Sequence, residues 1–461
     1  MKKAILFLLL PLRFFSQSDK VAFIDSLMRA EIAVNHFNGN LLVAESGKII
    51  YQKAFGYRNY DSRELLDNNS VFELASVSKQ FTAVGILMLK EQGKLKLSDS
   101  LRKYFPQLPY NYITIKNLLT HTSGLPGYEE EMITKWDHKN IASNSDVINF
   151  LAKEKPPVHF SPGKKWEYSN TGYVLLASII EKVSGQTFKD YMSNKIFKPL
   201  GMEHSRVYNT RRSTKEIIPN YAYGFVYSDS LKKYMLPDSL PDYDFVIYLD
   251  SIVGDGIVNA TTGDLLKWDR ALKNYTLISE SLQKEMFTEH SLMDTANKIY
   301  YGYGEMIGKN QLGNYITHEG GWPGYATIII RFLAGDFTII VLSNNETGGS
   351  GICNSIAAIL LNKQIRMPYL HKEVVIDTNI LNKYVGTYKD SIITLNIIRK
   401  SGKLYRHRKD RPDMELKAES NSKFFYSNGD RQVEFEFNKS GKVTKACFIY
   451  DGLTAELKKI D

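Results

Sequence analysis

Apolar residues near the start of the chain recur at helical spacing (Val21, Ile24, Leu27, Met28, Ile32) and predict an amphipathic helix over 21–34. Residues 41–44 and 49–51 flank the turn Glu45-Ser46-Gly47-Lys48 and predict a β-hairpin. The stretch 81–89 is apolar nearly all round, which predicts a buried central helix stopping near Gly93. Helical patterns follow over 173–183 and 264–272. Tyr325–Phe332 and 337–342 are apolar runs rich in β-branched residues, separated by Leu333-Ala334-Gly335-Asp336, and predict a second hairpin of buried strands. A helix, a hairpin, many helices and then strands again predict one sheet built from both ends of the chain, with helices between. Residues 204–250 interrupt the pattern with Tyr, Asp and Pro. They form either a loop-rich cover over a site or a surface insertion.

After about residue 370 the texture changes to short alternating segments (392–397, 433–437, 446–450) divided by Ser401-Gly402-Lys403, Ser427-Asn428-Gly429-Asp430, Lys439-Ser440-Gly441-Lys442 and Asp451-Gly452. This predicts an antiparallel all-β domain, a small barrel or sandwich. The expected division is a leader over 1–18, a large mixed domain over 19–370 and the β domain over 371–461. Met1-Lys2-Lys3 and the apolar residues 4–12 read as a secretory signal peptide, cleaved near Ser16 to Ser18. That run is shorter than the roughly 20 residues needed to span a bilayer. No later run reaches that length either, so the mature chain is expected to be exported and without a transmembrane segment.

Composition changes this picture little. Of 461 residues, 43% are hydrophobic and 24% charged, which excludes disordered, collagenous and coiled-coil classes. The net charge is +9, of which +5 falls in residues 372–461, and no run of five like charges occurs. Nucleic-acid binding is therefore not expected. Cys353 and Cys447 are too few for a disulfide framework and too far apart in sequence for a paired-thiol metal site. Cys353 falls in the apolar run 352–361 and is expected to be a buried apolar group.

Three fragments carry chemistry. Ser-x-x-Lys occurs six times, starting at Ser76, Ser100, Ser161, Ser230, Ser281 and Ser420, so spacing alone selects none of them. Ser76 stands apart because Lys79 heads the apolar helix, where an unpaired ammonium is costly. Three residues apart on a helix, the two side chains share a face, and the helix dipole favours negative charge at Ser76. Tyr168-Ser169-Asn170 precedes another helical segment. A tyrosine can take the serine proton when cations favour its phenolate, and an asparagine can bind both lysine and a carbonyl. His318-Glu319-Gly320-Gly321 leads into the 325–332 strand and holds the one His-x-Gly of the chain. Its glycines would let a substrate backbone lie close, and a backbone N–H there could complete an oxyanion hole. His121 in Thr120-His121-Thr122-Ser123-Gly124 is expected to fix a loop rather than to catalyse. Trp322 either lines a pocket mouth or packs beside it.

In this order and spacing the fragments resemble the serine β-lactamase and penicillin-binding-protein superfamily, over about residues 20–365. Residues 118–125, 197–202 and 254–257 reinforce the likeness to its class C, esterase and D-amino-acid peptidase branch. Tyr384-Val385-Gly386-Thr387-Tyr388 resembles the start of the lipocalin-like domain often appended to these hydrolases. The resemblance implies an α/β fold of α+β type, with an antiparallel sheet flanked by helices and an all-helical subdomain. It implies Ser76 as acylated nucleophile and Lys79 as the group that keeps Tyr168 deprotonated or shares its proton. Tyr168 would be the base, Asn170 the group that positions lysine and substrate, and the N–H groups of Ser76 and Gly321 the oxyanion hole. Gly320 and Gly321 would contact the substrate, and His318 would take the catalytic-site position where β-lactamases usually carry a lysine. No metal or organic cofactor is implied.

Histidine, with an unperturbed pKa of about 6.5, is mostly neutral at pH 7. Glu319 adds a negative charge if it points inward. Both weaken the expectation of a substrate carboxylate. The leading expectation is an exported serine hydrolase acting on an ester or amide, such as a D-amino-acid peptide, with a small molecule or peptide as its partner. A D-alanyl-D-alanine carboxypeptidase or β-lactamase is the alternative within chemistry. A non-catalytic binding or sensor protein is the alternative outside it.

Overall fold

The computed structural model describes residues 16–208, 218–295, 297–391, 393–408, 411–426, 431–450 and 452–460. Most of the leader lies outside the described residues. Ser16 caps the first helix, α1 (Gln17–Asn35), in a capping box with Asp19, so the helix starts four residues before its apolar periodicity does. Strands β1 (Gly39–Glu45) and β2 (Lys48–Phe55) form the first hairpin. Helices α2 (Lys79–Glu91), α3 (Asn170–Ser184) and α4 (Thr262–Lys273) follow, with shorter helices among them. Then come β3 (Ser291–Asp294), β4 (Ile299–Tyr301), β5 (Met306–Asn310), β6 (Gly313–Trp322), β7 (Tyr325–Phe332), β8 (Phe337–Ser343) and α5 (Ser350–Leu360).

These strands form one sheet in the order β3-β4-β5-β6-β7-β8-β1-β2. The N-terminal hairpin thus closes against the C-terminal one, with Gly39 opposite Ser343 and Glu45 opposite Phe337. Alternate residues serve opposite faces, as strand geometry requires. Leu41, Val43, Ile339 and Val341 pack against α1 and α5, while Leu42, Ala44, Ile340 and Leu342 join the core built on α2, α3 and α4. Burial on both faces explains why β7 and β8 read as continuous apolar runs. Cys353 is fully buried in α5, with its thiol pushed well above the ordinary range by burial.

The C-terminal segment is a closed eight-stranded barrel running from β9 (Gly386–Lys389) to β16 (Leu453–Lys459), each strand beside its sequence neighbour. Closure is made by β9 against β16, with Tyr388 opposite Lys459. Helix α5 packs on β16, and Arg366 reaches Glu434 at 2.9 Å, which fastens the barrel to the first domain. Of residues 204–250, 209–217 lie outside the described residues. The remainder ends in a short helix, Phe245–Tyr248, whose next residues, Leu249 and Asp250, line the cleft that also holds Ser76. No helix among the described residues is long and apolar enough to cross a membrane.

Candidate active site

Ser76 stands in a one-turn 3-10 helix, Ala75–Ser78, that runs directly into α2. Ala75 has φ of 48°, a left-handed conformation that costs an alanine roughly 1–2 kcal/mol. The neighbouring backbone holds it there. Val77 N–H bonds back to the Leu74 carbonyl at 3.2 Å, and Thr327 of β7 donates to that same carbonyl at 2.7 Å. A Cβ on Gly320 would come within 2.2 Å of the Leu74 oxygen. Gly320 therefore gives room to the segment that carries Ser76 rather than to substrate, which differs from the sequence expectation. Gly321 does face the cleft, and a Cβ there would meet nothing within 4 Å. Beyond Thr317, β6 has no pairing with β5, so the edge carrying His318 to Trp322 is left for the site.

Lys79 is fully buried and lies 3.0 Å from Ser76 Oγ. Its Nζ also donates to the Asp255 carbonyl at 2.6 Å and lies 4.9 Å from the Tyr168 ring centroid and 5.6 Å from that of Tyr173. The ammonium is thus held by one carbonyl, one hydroxyl and two aromatic faces, which offsets much of its desolvation. The loop supplying Asp255 is fixed to α2, where Thr82 donates to the Gly254 carbonyl at 2.6 Å and Ser78 Oγ accepts from Val258 N–H at 3.0 Å. Gly254, at φ of 106°, lies so close to α3 that a Cβ would meet Tyr173 O at 2.5 Å.

Tyr168 is 37% exposed, and its ring lies 4.3 Å from that of His121. His121 is buried and accepts the Ser169 N–H on Nδ1 at 3.1 Å, so it ties its own loop to the one that carries Tyr168 and Asn170. Burial, with help from Lys79, holds its pKa well below the ordinary value. Asn170 donates through its amide to Glu129, and its buried Oδ1 has no hydrogen-bond partner. An acceptor left in this way beside the cleft can take a substrate N–H.

His318 is 1% exposed and does not line the cleft. One ring nitrogen, Nδ1, faces the Glu319 carbonyl at 2.7 Å and must carry the proton. Nε2 then accepts from the Tyr301 hydroxyl at 2.8 Å. Burial and the nearby Lys79 charge press its pKa down to about 3, so it is a neutral imidazole throughout the physiological range. Glu319 points to the other face of the sheet, where Ser350 of α5 donates to it at 2.5 Å. Its charge is absent from the site.

Sequence reading did not single out the carboxylates. Glu73, Glu129, Asp250 and Asp255 line the cleft together with Ser76, Asn170, Gly321 and Trp322. Tyr128 donates to Asp255 Oδ2 at 2.9 Å. Burial, then the Asp255 charge, lifts Glu129 to about 7. Burial raises Asp255 as well, against the pull of Lys79. An adjoining hollow between Glu129, Tyr168, Phe245 and Trp322 carries His159 and Glu167 but no lysine or arginine in its described lining. A nucleophile paired with a buried amine, in a cleft with an excess of carboxylate, can form an acyl-enzyme with a carbonyl substrate and favours a positively charged group on it.

The Beta-lactamase family model matches residues 24–361. Penicillin-binding protein 4* of Bacillus subtilis is 39% identical over 426 residues, covering 90% of this chain and 93% of that protein. The putative penicillin-binding protein PbpX of the same organism is 32% identical, covering 71% and 76%. Among solved structures, the octameric penicillin-binding protein homologue from Pyrococcus abyssi superposes with a TM-score of 0.68 at 24% identity, over 95% of this chain and all of the other. The D-amino acid amidase from Ochrobactrum anthropi does so with 0.62 at 22% identity, over 74% and 98%. At these identities the two structures show the shared fold. Fold, family match and near full-length likeness agree: the chain is a serine hydrolase that belongs to the Beta-lactamase family.

Proposed function

We propose that this hydrolase is exported and cleaves an ester or amide whose acyl part bears a free ammonium, with D-amino-acid amides and short peptides as the substrate class. The observation that carries the reading is the Ser76–Lys79 pair, 3.0 Å apart, opening on a cleft with four carboxylates and no lysine or arginine in its described lining. A substrate carboxylate would find no cation on the described lining, whereas an ammonium would find Glu129. The likeness to a D-amino acid amidase fold supports the class of substrate, and the apolar start at residues 4–12 supports export.

In this mechanism Ser76 Oγ attacks the carbonyl carbon as its proton passes to Tyr168. The N–H groups of Ser76 and Gly321 hold the oxyanion. Collapse of the tetrahedral species breaks the bond to the leaving amine or alcohol, which receives the proton from Tyr168. Water then attacks the acyl-enzyme, giving Tyr168 its proton, and collapse of the second tetrahedral species releases the acid as that proton passes from Tyr168 to Ser76 Oγ. Lys79 stabilises the tyrosine anion, and Asn170 receives a substrate N–H on Oδ1. His318, through Tyr301, is a positioning residue.

The likeness to penicillin-binding proteins favours a second reading, capture or hydrolysis of a β-lactam. One panel separates the two: D- and L-amino-acid anilides, their N-acetylated forms, p-nitrophenyl acetate and a chromogenic cephalosporin, each with Ser76→Ala alongside. Free-amine substrates should exceed their acetylated forms at least tenfold in kcat/KM, and Ser76→Ala should be inert. Equal rates with and without the acetyl group remove the ammonium from the reading. A cephalosporin turned over fastest establishes the β-lactam reading.

A further inference from the structure

The wall of the cleft that carries Phe245, Leu249 and Asp250 is fastened along one neighbouring segment, residues 133–144. Asn144 holds its far end, donating to the Val253 carbonyl at 3.0 Å and accepting the Val253 N–H at 2.8 Å. Ala142 N–H bonds the Tyr248 carbonyl at 2.7 Å. His138 holds the near end, beside Phe245, and is the only one of these three fasteners that can change its charge.

The partners of His138 fix its protonation. Nδ1 faces the Asp244 carboxylate at 2.8 Å and Nε2 faces the Ile133 carbonyl at 3.1 Å. Both oxygens only accept, whereas a neutral imidazole has one N–H and one lone pair. A neutral ring would set its lone pair against one of them, so the two bonds together require the imidazolium. The ring also stacks on Tyr248, with centroids 4.0 Å apart and planes 19° from parallel, an arrangement that favours a cation. Asp244 directly precedes the helix Phe245–Tyr248, yet its side chain does not cap that helix. It serves the histidine instead.

Other titratable groups lie about the ring. On the same loop Asp137 accepts from Lys139 N–H at 3.1 Å and from the Asn140 amide at 3.0 Å. Lys135, at the end of the preceding helix, donates to Glu131 at 2.6 Å. On the wall, Asp242 precedes Asp244 in sequence. Tyr248 is neutral, because burial, then the Asp244 charge, pushes its hydroxyl up to about 12.

We propose that His138, as an imidazolium, is a positioning residue for substrate: it holds the Phe245–Asp250 wall over the cleft, and its hold weakens as pH rises. Loss of one proton leaves either Asp244 or Ile133 facing a lone pair. The wall then stays tied at Tyr248 and Val253 but loosens near Phe245, whose ring meets Trp322 edge-on at 5.5 Å. His138 is 37% exposed and Asp244 50%, which keeps the effect to a few-fold. The inference rests on the Ser76 cleft as the substrate site, and not on a substrate ammonium.

Two variants of the full chain separate charge from bulk. His138→Phe keeps a ring on Tyr248 and loses both bonds, whereas His138→Arg supplies a charge that does not titrate. Two quantities are followed from about pH 5.5 to about pH 8, the span over which histidines change charge. One is hydrogen exchange of amides 244–250, corrected for its intrinsic pH dependence, and the other is KM for p-nitrophenyl butyrate. Relative to His138→Arg, the native protein should match at the lower end and show about threefold higher KM and faster exchange at the upper end. His138→Phe should show the raised values throughout, with kcat and melting temperature close to native. Other groups that titrate in this span, Glu129 among them, are common to the three proteins and cancel. One pH profile shared by all three overturns the proposal, and so does a His138→Arg protein that behaves like His138→Phe. If Ser76→Ala still hydrolyses the ester, the reading of the cleft falls, and the exchange data alone decide the role of His138.

Discussion

The Ser76 cleft is rich in carboxylates and the barrel mouth in arginines, and they tolerate this by opposite means. In the cleft the crowded groups are carboxylates, which can take up protons. Burial raises Asp255 and, with the Asp255 charge, lifts Glu129 to about 7, so the cleft carries less charge than its composition suggests. At the barrel mouth the crowded groups are guanidiniums, which have no such escape. Arg406 is met there by the face of Phe448, 5.0 Å from its guanidinium. A carboxylate cluster is therefore tuned by pH, whereas an arginine cluster keeps its charge.

The largest expected effect comes from removing the cation the cleft is built around. Lys79→Met should slow acylation by about 10²–10⁴-fold, the usual scale for loss of a proton-transfer partner. Without that charge, Glu129 should titrate still higher and the His318 pKa should rise from about 3. The labelling rate with a fluorophosphonate and carboxyl and imidazole NMR titrations measure these changes. Unchanged acylation would detach Lys79 from Ser76.

Glu129→Gln should come next. Its carboxyl is lifted by folding from 4.5 to about 7, so the native state holds a proton that the unfolded chain releases. Stability is then lost as pH rises between those values, by on the order of 3 kcal/mol. Denaturant unfolding at several pH values should show this fall in the native protein and a flatter profile in the variant. KM for a free-amine substrate should drop through pH 7 in the native protein as Glu129 ionises. In the variant, KM should be about tenfold higher at pH 8 and lack that step.

Glu319→Gln should do least. Its carboxylate bonds Ser350 on the far face of the sheet, so kcat/KM should change less than about twofold and stability by less than about 1 kcal/mol. A large change in KM would mean that its charge reaches the cleft.

The contact between Ser76 and Lys79 was legible because a cation at the head of an apolar helix is conspicuous in one dimension. Both hairpins and the barrel were legible because strand alternation and turn residues are local. The carboxylates were not, since Glu129 in the first turn of the helix Tyr128–Lys135 and Asp255 in a loop are far apart in sequence and only folding brings them together. Tyr301 as the partner of His318 was hidden in the same way. Two features carried signals that could have been used. With His318 buried in β6, strand alternation alone turns Glu319 outward. In Leu404-Tyr405-Arg406-His407-Arg408, the charged residues share the phase of the buried leucine, which marks an inward-facing basic group.

The place of β1 between β2 and β8 sets the order of events during synthesis. Gly39 waits for Ser343, and β6, whose Gly320 makes room for the turn that carries Ser76, also arrives after residue 312. Such distant pairing is slow, because a long loop must close before any contact repays it. A chain still being made therefore holds Ser76 and Lys79 but has no β6 to pack against them. The hydrolase cannot become active until most of its length exists.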